Sequence, residues 1–535
     1  MSPHSTRQGR QAQAGAVAGQ AVTLRYHDLT KHSYESVRGS RHTLDWANQP
    51  STHKRYLDLE QHAPPRETLP GDLPPTLELL RRLAAPEAQG QERTLSGRGE
   101  LSALCRLGYG ITAQMSRPGL TYSLRAAPSA GALYPCELYV CLREVDGLAD
   151  GLYHYAPSDH SLSCLRSGDF LPVLQGATGN APALEGADIV FAISTIWWRS
   201  SWKYRGRAYR YCLNDTGHLA GNVLLAARSL GYRPAVVYDF LDGEVNHLLG
   251  LDPARLDTAR LDAERERALI LVACSAGGPR RERTASGLEP DSIAVTYRPL
   301  SAAEVDYALI SEAHAATCLT TPEALLEARR PAVVEAVGKM ETMEQGLPVF
   351  PLPQPEGSLQ PLAESIGRRR SSRKLAGEPV SSGALSTVLA AIVRDYPSDQ
   401  ETLPPLEVTL IANDVADLPP GAYRHDRAGH RLRQTRLGDL RGWATYLSME
   451  QRLCDDAALS LFLVADLEDG AERRGDRAYR RTYIEAGLRG QFVYLAARAL
   501  GLGCSGIGAF YDDQAAEFWE LEPGSSVIYE LVVGP

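Results

Sequence analysis

Apolar positions along the chain follow two patterns. Continuous apolar runs at residues 137–142, 188–196 and 268–273 predict strands buried on both faces. Residues 101–107 and 209–230 instead repeat apolar positions at helical spacing, and the second of these helices is expected to stop at Gly231. A further helix is predicted over 491–500, leading into a glycine-rich segment. Residues 1–20, rich in Gly, Ala, Gln and Ser, are expected to be a disordered tail, and 21–75 form a polar lead-in with no readable period. Helix and strand patterns then mix over 76–275, the first globular block. Residues 276–360 are expected to be a linker: 275–290 are rich in Gly, Arg and Ser, 301–343 have helical character, and the prolines of 347–361 should break any regular element. A second block runs from 361 to 535.

The two blocks repeat each other. Arg-Ala-Tyr-Arg at 207–210 returns at 477–480, an offset of 477 − 207 = 270, and the match continues through Gly217 with Gly487 and Leu225-Ala-Ala-Arg228 with Leu495-Ala-Ala-Arg498. The same offset pairs Pro135 with Pro405, Glu137 with Glu407, Val145 with Val415, Gly151 with Gly421 and Tyr153 with Tyr423. Such a period is too long for a solenoid unit and indicates a duplicated domain.

Composition narrows the class. A chain of 535 residues exceeds what one core usually serves, and 44% apolar, 23% charged and 7% aromatic residues describe an ordinary globular protein. The net charge of −9 argues against nucleic acid as a partner. Nine scattered cysteines without a Cys-x-x-Cys pair indicate neither a disulfide framework nor a zinc site, so no metal is expected. With no signal-peptide core and no run long enough to span a bilayer, a cytoplasmic protein without a membrane partner is expected.

Four segments carry candidate chemistry. Residues 128–135 read Pro-Ser-Ala-Gly-Ala-Leu-Tyr-Pro; the small Ser129, Ala130 and Gly131 let backbone amides approach a flat, charged ligand, and Pro128 fixes the chain direction, although the same residue types also make plain turns. Arg369, Ser371 and Arg373 supply two phosphate-binding forks and a hydroxyl, and their spacing predicts one face of a helical turn; the alternative is a solvated basic helix start. Gly501 to Gly506 formally fits Gly-x-Gly-x-x-Gly, yet a helix precedes it where that fingerprint needs a strand, so a helix C-cap entering a strand is expected. Lys203 and Tyr204 lie between the strand ending at Ile196 and the helix from Tyr209. Trp197, Trp198 and Trp202 beside them read either as core or as an aromatic wall, and Asp215 and His218 either as a carboxylate orienting an imidazole or as a helix-surface pair.

Residues 124–135 with Trp202-Lys-Tyr-Arg-Gly-Arg-Ala-Tyr-Arg210 resemble the SagB/ThcOx branch of the FMN-dependent nitroreductase superfamily, as do Arg369-Arg-Ser-Ser-Arg373 and Gly503 to Gly508. The resemblance covers residues 21–535 and implies an α+β fold: two tandem nitroreductase-like domains forming a pseudo-dimer within one chain. In the superfamily one subunit supplies Arg-x-Ser-x-Arg and the late glycines, the other the Pro-Ser segment. Carried over, the FMN site comprises Arg125, Pro128, Ser129, Ala130 and Gly131 with Arg369, Ser371, Arg373, Gly506, Ile507 and Gly508. The reciprocal set is eroded: the offset places Asp399, Gln400 and Glu401 opposite Ser129 to Gly131, the first block has no Arg-x-Ser-x-Arg before Leu101, and its late segment reads Gly231 to Val237. One FMN per chain is therefore expected.

In azoline-oxidising members of the branch a Lys-Tyr pair is catalytic, which makes Lys203 and Tyr204 the expected catalytic residues. A base role requires a lowered lysine pKa, through burial or through Arg199, Arg205 and Arg207. The offset puts Arg473 and Arg474 in the second copy, so no second pair is expected. The implied activity is oxidation of peptide thiazolines or oxazolines to azoles in ribosomal peptide natural-product biosynthesis, with oxygen reoxidising the flavin. The implied partners are a modified precursor peptide and a cyclodehydratase complex. Two alternatives remain: a flavin dehydrogenase or NAD(P)H-dependent reductase of a small metabolite, and a non-catalytic scaffold.

Overall fold

The computed structural model describes residues 20–65, 69, 73–84, 97–117, 120–251, 266–276, 290–291, 293, 295–330, 347–400 and 406–535. Residues 1–19 of the expected disordered tail, most of 275–290, residues 331–343 and Glu401 lie outside them. Nine helices position the site: α1 (Val22–Leu29), α2 (Thr76–Arg81), α3 (Gly97–Tyr109), α4 (Trp197–Tyr204), α5 (Ala208–Ser229), α6 (Ala308–Ala316), α7 (Leu362–Arg368), α8 (Ser382–Ile392) and α9 (Arg477–Ala499).

The strands of the first half are β1 (Gln61–His62), β2 (Ile111–Arg117), β3 (Leu120–Arg125), β4 (Cys136–Leu142), β5 (Gly151–Ala156), β6 (Ser161–Ser167), β7 (Ile189–Ile196), β8 (Arg233–Val237) and β9 (Glu266–Ser275). Those of the second half are β10 (Val349–Pro351), β11 (Glu407–Ala412), β12 (Gly421–Asp426), β13 (Arg431–Leu437), β14 (Leu459–Asp466), β15 (Gly503–Ile507) and β16 (Ser525–Gly534). Each half builds a seven-stranded antiparallel sheet, in the orders β1-β6-β5-β4-β7-β9-β8 and β10-β13-β12-β11-β14-β16-β15, and β2 and β3 form a separate ribbon.

The sheets are copies down to register. Glu137 faces Ser194 in one and Glu407 faces Val464 in the other, and a β-bulge falls at Leu152/Tyr153 and again at Ala422/Tyr423, all 270 residues apart. Helices α5 and α9 stop in the same way. Gly231 and Gly501 adopt φ values of 82° and 79°, and the next amides, of Tyr232 and Leu502, donate back to the carbonyls of Ala227 and Ala497. This is the glycine-dependent Schellman ending, which reverses the chain into β8 and β15.

α5 and α9 cross between the two sheets, and residues from both halves form one continuous core that includes Leu219, Leu225, Leu488 and Leu495. The crossing is set by one glycine from each copy. A Cβ on Gly217 would stand 2.0 Å from the Ile484 carbonyl oxygen, and one on Gly487 would stand 2.0 Å from that of Asn214. No side chain fits at either position, so backbone meets backbone.

Beside the crossing, the repeated Arg-Ala-Tyr-Arg clamps each half to the other. Arg207 and Arg210 donate to the Asp512 carboxylate, each at 2.7 Å, while Arg480 and Arg477 donate to Asp242 at 2.6 and 3.0 Å. All six side chains are buried. Burial alone would raise both carboxyls, yet the paired arginines hold Asp512 and Asp242 below the usual carboxylate range.

The lead-in and linker complete these clamps, in a duplication that the 270-residue offset does not show. α1 ends at Thr30, whose carbonyl accepts from Arg207 at 2.8 Å, and α6 is followed by Thr317, whose carbonyl accepts from Arg477 at 3.0 Å. His27 and His314 precede these threonines by three residues in each copy. The lead-in also adds edge strand β1, and the linker adds β10 in spite of its prolines, because an edge strand tolerates missing donors. Asp512→Ala should leave two buried arginines uncompensated and cost about 3–5 kcal/mol. A shift of the denaturant midpoint at unchanged slope is the expected signature.

Candidate active site

Residues 126–135 leave β3 and fold into a tight loop packed on α5. Gly131, Ala132 and Tyr134 adopt φ values of 64°, 54° and 48°, a backbone shape that only the glycine takes without strain. The loop is stapled by Ser129. Its hydroxyl donates to Asp215 Oδ2 at 2.6 Å and accepts from the Tyr134 amide at 2.8 Å, and the Ala130 amide donates to Asp215 Oδ1 at 3.2 Å. Among the described residues the Ser129 and Gly131 amides have no partner. The small size of Gly131 is required, since a Cβ there would lie 2.6 Å from the Tyr204 hydroxyl and 3.2 Å from Lys203 Nζ.

The second half brings its own residues to this loop. Arg369 is the C-cap of α7, and its Nε and Nη2 donate to the carbonyls of Ala126 at 2.8 Å and Arg125 at 3.1 Å. Its Nη1 is buried without a partner. Ser371 pairs with Cys504 in an isolated parallel bridge, and its hydroxyl lies 2.8 Å from that of Tyr494, which accepts from the Gly506 amide at 2.6 Å. Arg373 is exposed and has no ion pair among the described residues. A Cβ on Gly506 would fall 1.9 Å from the Tyr529 hydroxyl, and one on Gly508 would fall 2.5 Å from the Tyr211 ring.

Helix α5 supports these parts with one stripe. Tyr211 stacks edge-on against Tyr204 at 4.7 Å, Asp215 holds the loop, and His218 Nε2 meets the Tyr529 hydroxyl at 2.8 Å. Burial pushes Asp215 up to about 7 and His218 down to about 3. Lys203 is half-buried, its Nζ 5.2 Å from the centre of the Tyr204 ring, and burial lowers its pKa.

Several expectations are corrected here. Arg369 and Arg373 do not share a helical turn, because α7 ends at Arg368 and the chain extends to pair with β15. Lys203 and Tyr204 do lie between the strand ending at Ile196 and the next long helix, and the structure adds that they close the short helix α4. The neighbouring arginines do not lower the Lys203 pKa: Arg199 is bound to Glu137 and Arg207 to Asp512, and the cause is desolvation. Asp215 and His218 are neither paired with each other nor on the surface: Asp215 is buried against the 126–135 loop, and His218 against Gln491 of α9 and Tyr529 of β16. The guanidinium of Arg125 lies between the Tyr109 and Tyr134 rings and donates to the Thr52 carbonyl, so its main chain rather than its side chain meets Arg369. The three tryptophans pack: Trp202 and Trp198 donate to the Asp45 carbonyl and Ser301, and Trp197 stacks on Tyr209.

Tyr211, Tyr494 and Tyr529 carry no motif. Their only sequence signal is asymmetry across the repeat, where 211 + 270 is Arg481 and 494 − 270 is Leu224. At the reciprocal place the polar groups bond to one another. Asp399 accepts from the amides of Tyr238 at 2.9 Å and Asp239 at 3.1 Å, Gln400 donates to Asp239 at 2.8 Å, and Arg481 and Arg329 close on the same aspartate and its carbonyl. The Pro75–Pro361 bridge aligns α2 with α7 at an offset of 361 − 75 = 286, which puts the fully buried Leu83 opposite Arg369.

The nitroreductase family matches residues 98–258 and 366–534, more than half of the chain, and the protein belongs to that family. Among relatives, the Methanocaldococcus jannaschii protein MJ1384, assigned as a nitroreductase, is 33% identical over 171 residues, covering 32% of this chain and 81% of its own. The trifolitoxin-processing protein TfxB of Rhizobium leguminosarum bv. trifolii is 34% identical over 134 residues, 24% of this chain and 36% of that protein. The microcin B17-processing protein McbC of Escherichia coli is 27% identical over 133 residues, 24% of this chain and 49% of that protein. An Anabaena variabilis structure assigned as a nitroreductase superposes with a TM-score of 0.74 at 29% identity, over 96% of this chain and 99% of the other. The tandem α+β nitroreductase fold is thus the fold of this chain. Among the described residues, no helix is long and apolar enough to cross a membrane and no cluster of potential metal ligands occurs.

Arg369→Met should cost the flavin-free protein about 2 kcal/mol by stranding two buried carbonyls. Arg373→Met should stay within about 0.5 kcal/mol, since that side chain holds nothing. Urea unfolding of the two variants compares them directly.

Proposed function

We propose that this protein is an FMN-dependent dehydrogenase that oxidises azoline rings in a peptide, acting within ribosomal peptide natural-product biosynthesis. Its domains on this reading are 76–275 and 361–535, with 276–360 as linker. The observation that carries the reading is the abutment of Lys203 and Tyr204 on Gly131, at the loop where both halves contribute residues.

The residues suit FMN. Arg369 has an unpartnered buried Nη1, Arg373 is an unpaired cation, and the Ser129 and Gly131 amides are unpartnered. The free Nη1 of Arg369 and the Arg373 guanidinium suit a phosphate, and Gly506 and Gly508 let the Tyr529 and Tyr211 side chains lie directly against the backbone beside it. Arg369, Ser371 and Arg373 with Gly506 to Gly508 would hold the group from one half, and Ser129 to Gly131 from the other. When bound, FMN supplies the two-electron acceptor for ring oxidation.

The proton that leaves the azoline needs a base, and Lys203 is suited to take it at Nζ. Desolvation favours its neutral amine, which is the form that accepts a proton. The Tyr204 hydroxyl remains protonated, because burial and then Tyr211 and Asp215 raise its pKa, so it donates a hydrogen bond to the substrate heteroatom. Loss of two hydrogens makes the ring aromatic, which provides the driving force. The names of TfxB and McbC, both peptide-processing proteins, favour a peptide substrate and an assembly with other processing enzymes.

A thiazoline-containing peptide should bleach the flavin anaerobically whereas NADPH should not; the reverse pattern would favour a reductase of small molecules. Lys203→Ala and Tyr204→Phe should each lower turnover by about 10²–10³ with flavin content unchanged. Turnover should fall as pH drops through the Lys203 pKa, because protonation removes the base. A colourless protein that takes up no FMN would favour the scaffold.

A further inference from the structure

The Ser129 hydroxyl is fully committed within the protein, since it donates to Asp215 and accepts from the Tyr134 amide. It therefore has no O–H left for a ligand. The ligand-facing donors of this loop are the amides of Ser129 and Gly131, and their direction depends on what holds the loop. We propose that Asp215 is the positioning residue of the site: its carboxylate holds Ser129 and Ala130 so that the Ser129 and Gly131 amides face the bound cofactor. The proposal deepens the flavin reading and rests on it.

Three observations support this role. First, both carboxylate oxygens face donors, Oδ2 the Ser129 hydroxyl and Oδ1 the Ala130 amide, so the ionised form satisfies the loop and the protonated form does not. Second, Asp215 is buried and pairs with no cation. The groups around it are Cys136 on β4, Cys212 on α5, Tyr204 on α4 and Tyr529 on β16, all with pKa values raised by burial and therefore uncharged at neutral pH. The cations that touch the loop do so away from this carboxylate: Arg369 at the Ala126 carbonyl, Arg199 at the Tyr134 carbonyl and Lys203 at Gly131. A carboxyl raised to about 7 in such surroundings burdens the fold progressively as pH rises from the ordinary carboxylate range and fully above about 7, since the unfolded chain ionises it more readily. The burden is consistent with retention for the loop that it holds.

Third, the repeat supplies an internal control. The counterparts of Ser129 and Asp215 are Asp399 and Glu485, two acids that cannot bond to each other as the serine and aspartate do. There the staple is absent. Asp399 turns to the amides of Tyr238 and Asp239, and Glu485 turns to Arg489 at 2.6 Å and Tyr238 at 2.7 Å. The hydroxyl–carboxylate pair thus occurs in the half whose loop meets Arg369 and not in its counterpart.

Hydrogen exchange of the flavin-free full chain and FMN titration decide the matter together. At pH 8, Asp215→Asn should speed exchange of the peptide covering residues 126–135 at least tenfold and leave β4 unchanged, with Tm equal to or above that of the native protein. Its FMN affinity should fall at least tenfold. The native protein should lose FMN affinity as pH drops through about 7, while the variant should lack that step and keep only the change that protonation of the FMN phosphate brings near about 6. Should Asp215→Asn fail to fold, Ser129→Ala makes the same comparison through the freed Tyr134 amide. Unchanged exchange at 126–135, or the same pH profile in both proteins, would overturn the role of Asp215. If the native protein bound no FMN, the flavin reading would fall, and the exchange comparison would still decide whether Asp215 holds the loop.

Discussion

The contact on which the structure depends is the crossing of α5 and α9, where Gly217 and Gly487 bring two backbones together and the Arg-Ala-Tyr-Arg arginines reach across to Asp512 and Asp242. A side chain at either glycine would push the helices apart. The halves would then separate, along with the carbonyls of Arg125 and Ala126 and the Arg369 guanidinium that bonds to them. The candidate site is a consequence of that closeness, because neither half contains it alone. Carrying Tyr211, Asp215 and His218 on the same helix ties the crossing directly to the loops around the site.

Duplication within one chain removes the requirement that both sites be the same. In a homodimer any change at one site appears at the other. Here the reciprocal site has Leu83 in place of Arg369 and Asp399 in place of Ser129, and its polar groups are consumed by one another around Asp239. Burial and then Asp239 push Asp399 up to about 6, the strain expected of two carboxyls sharing one place. The clamps were not released in the same way. Both Arg–Asp clusters persist with similar geometry, because either one failing would strand buried charge.

Much of this was legible in sequence. The 270-residue offset stated the duplication, and the structure repeats it in strand order, register and bulge position. The helix ending at Gly501 and the buried strands were readable because glycine caps and continuous apolar runs are local signals. Other features depended on distant partners. Arg369 to Arg373 has helical spacing, yet the pull of β15 on Ser371 extends the chain, and Arg199 and Arg207 look free until Glu137 and Asp512 are placed beside them. The repeat of α1 in α6 is carried by little more than a histidine and a threonine three apart, too short to notice without the clamps that both serve.

The central claim is that one complete site survives from two. Titration of the flavin-free full chain with FMN, with bound flavin counted against chain concentration, tests it most directly. The account predicts saturation at one FMN per chain, abolished by substitutions at Arg369 and Arg373 together and untouched by substitutions at Arg473 and Arg474. Two FMN per chain, or one whose binding depends on Arg473 and Arg474 instead, would contradict it.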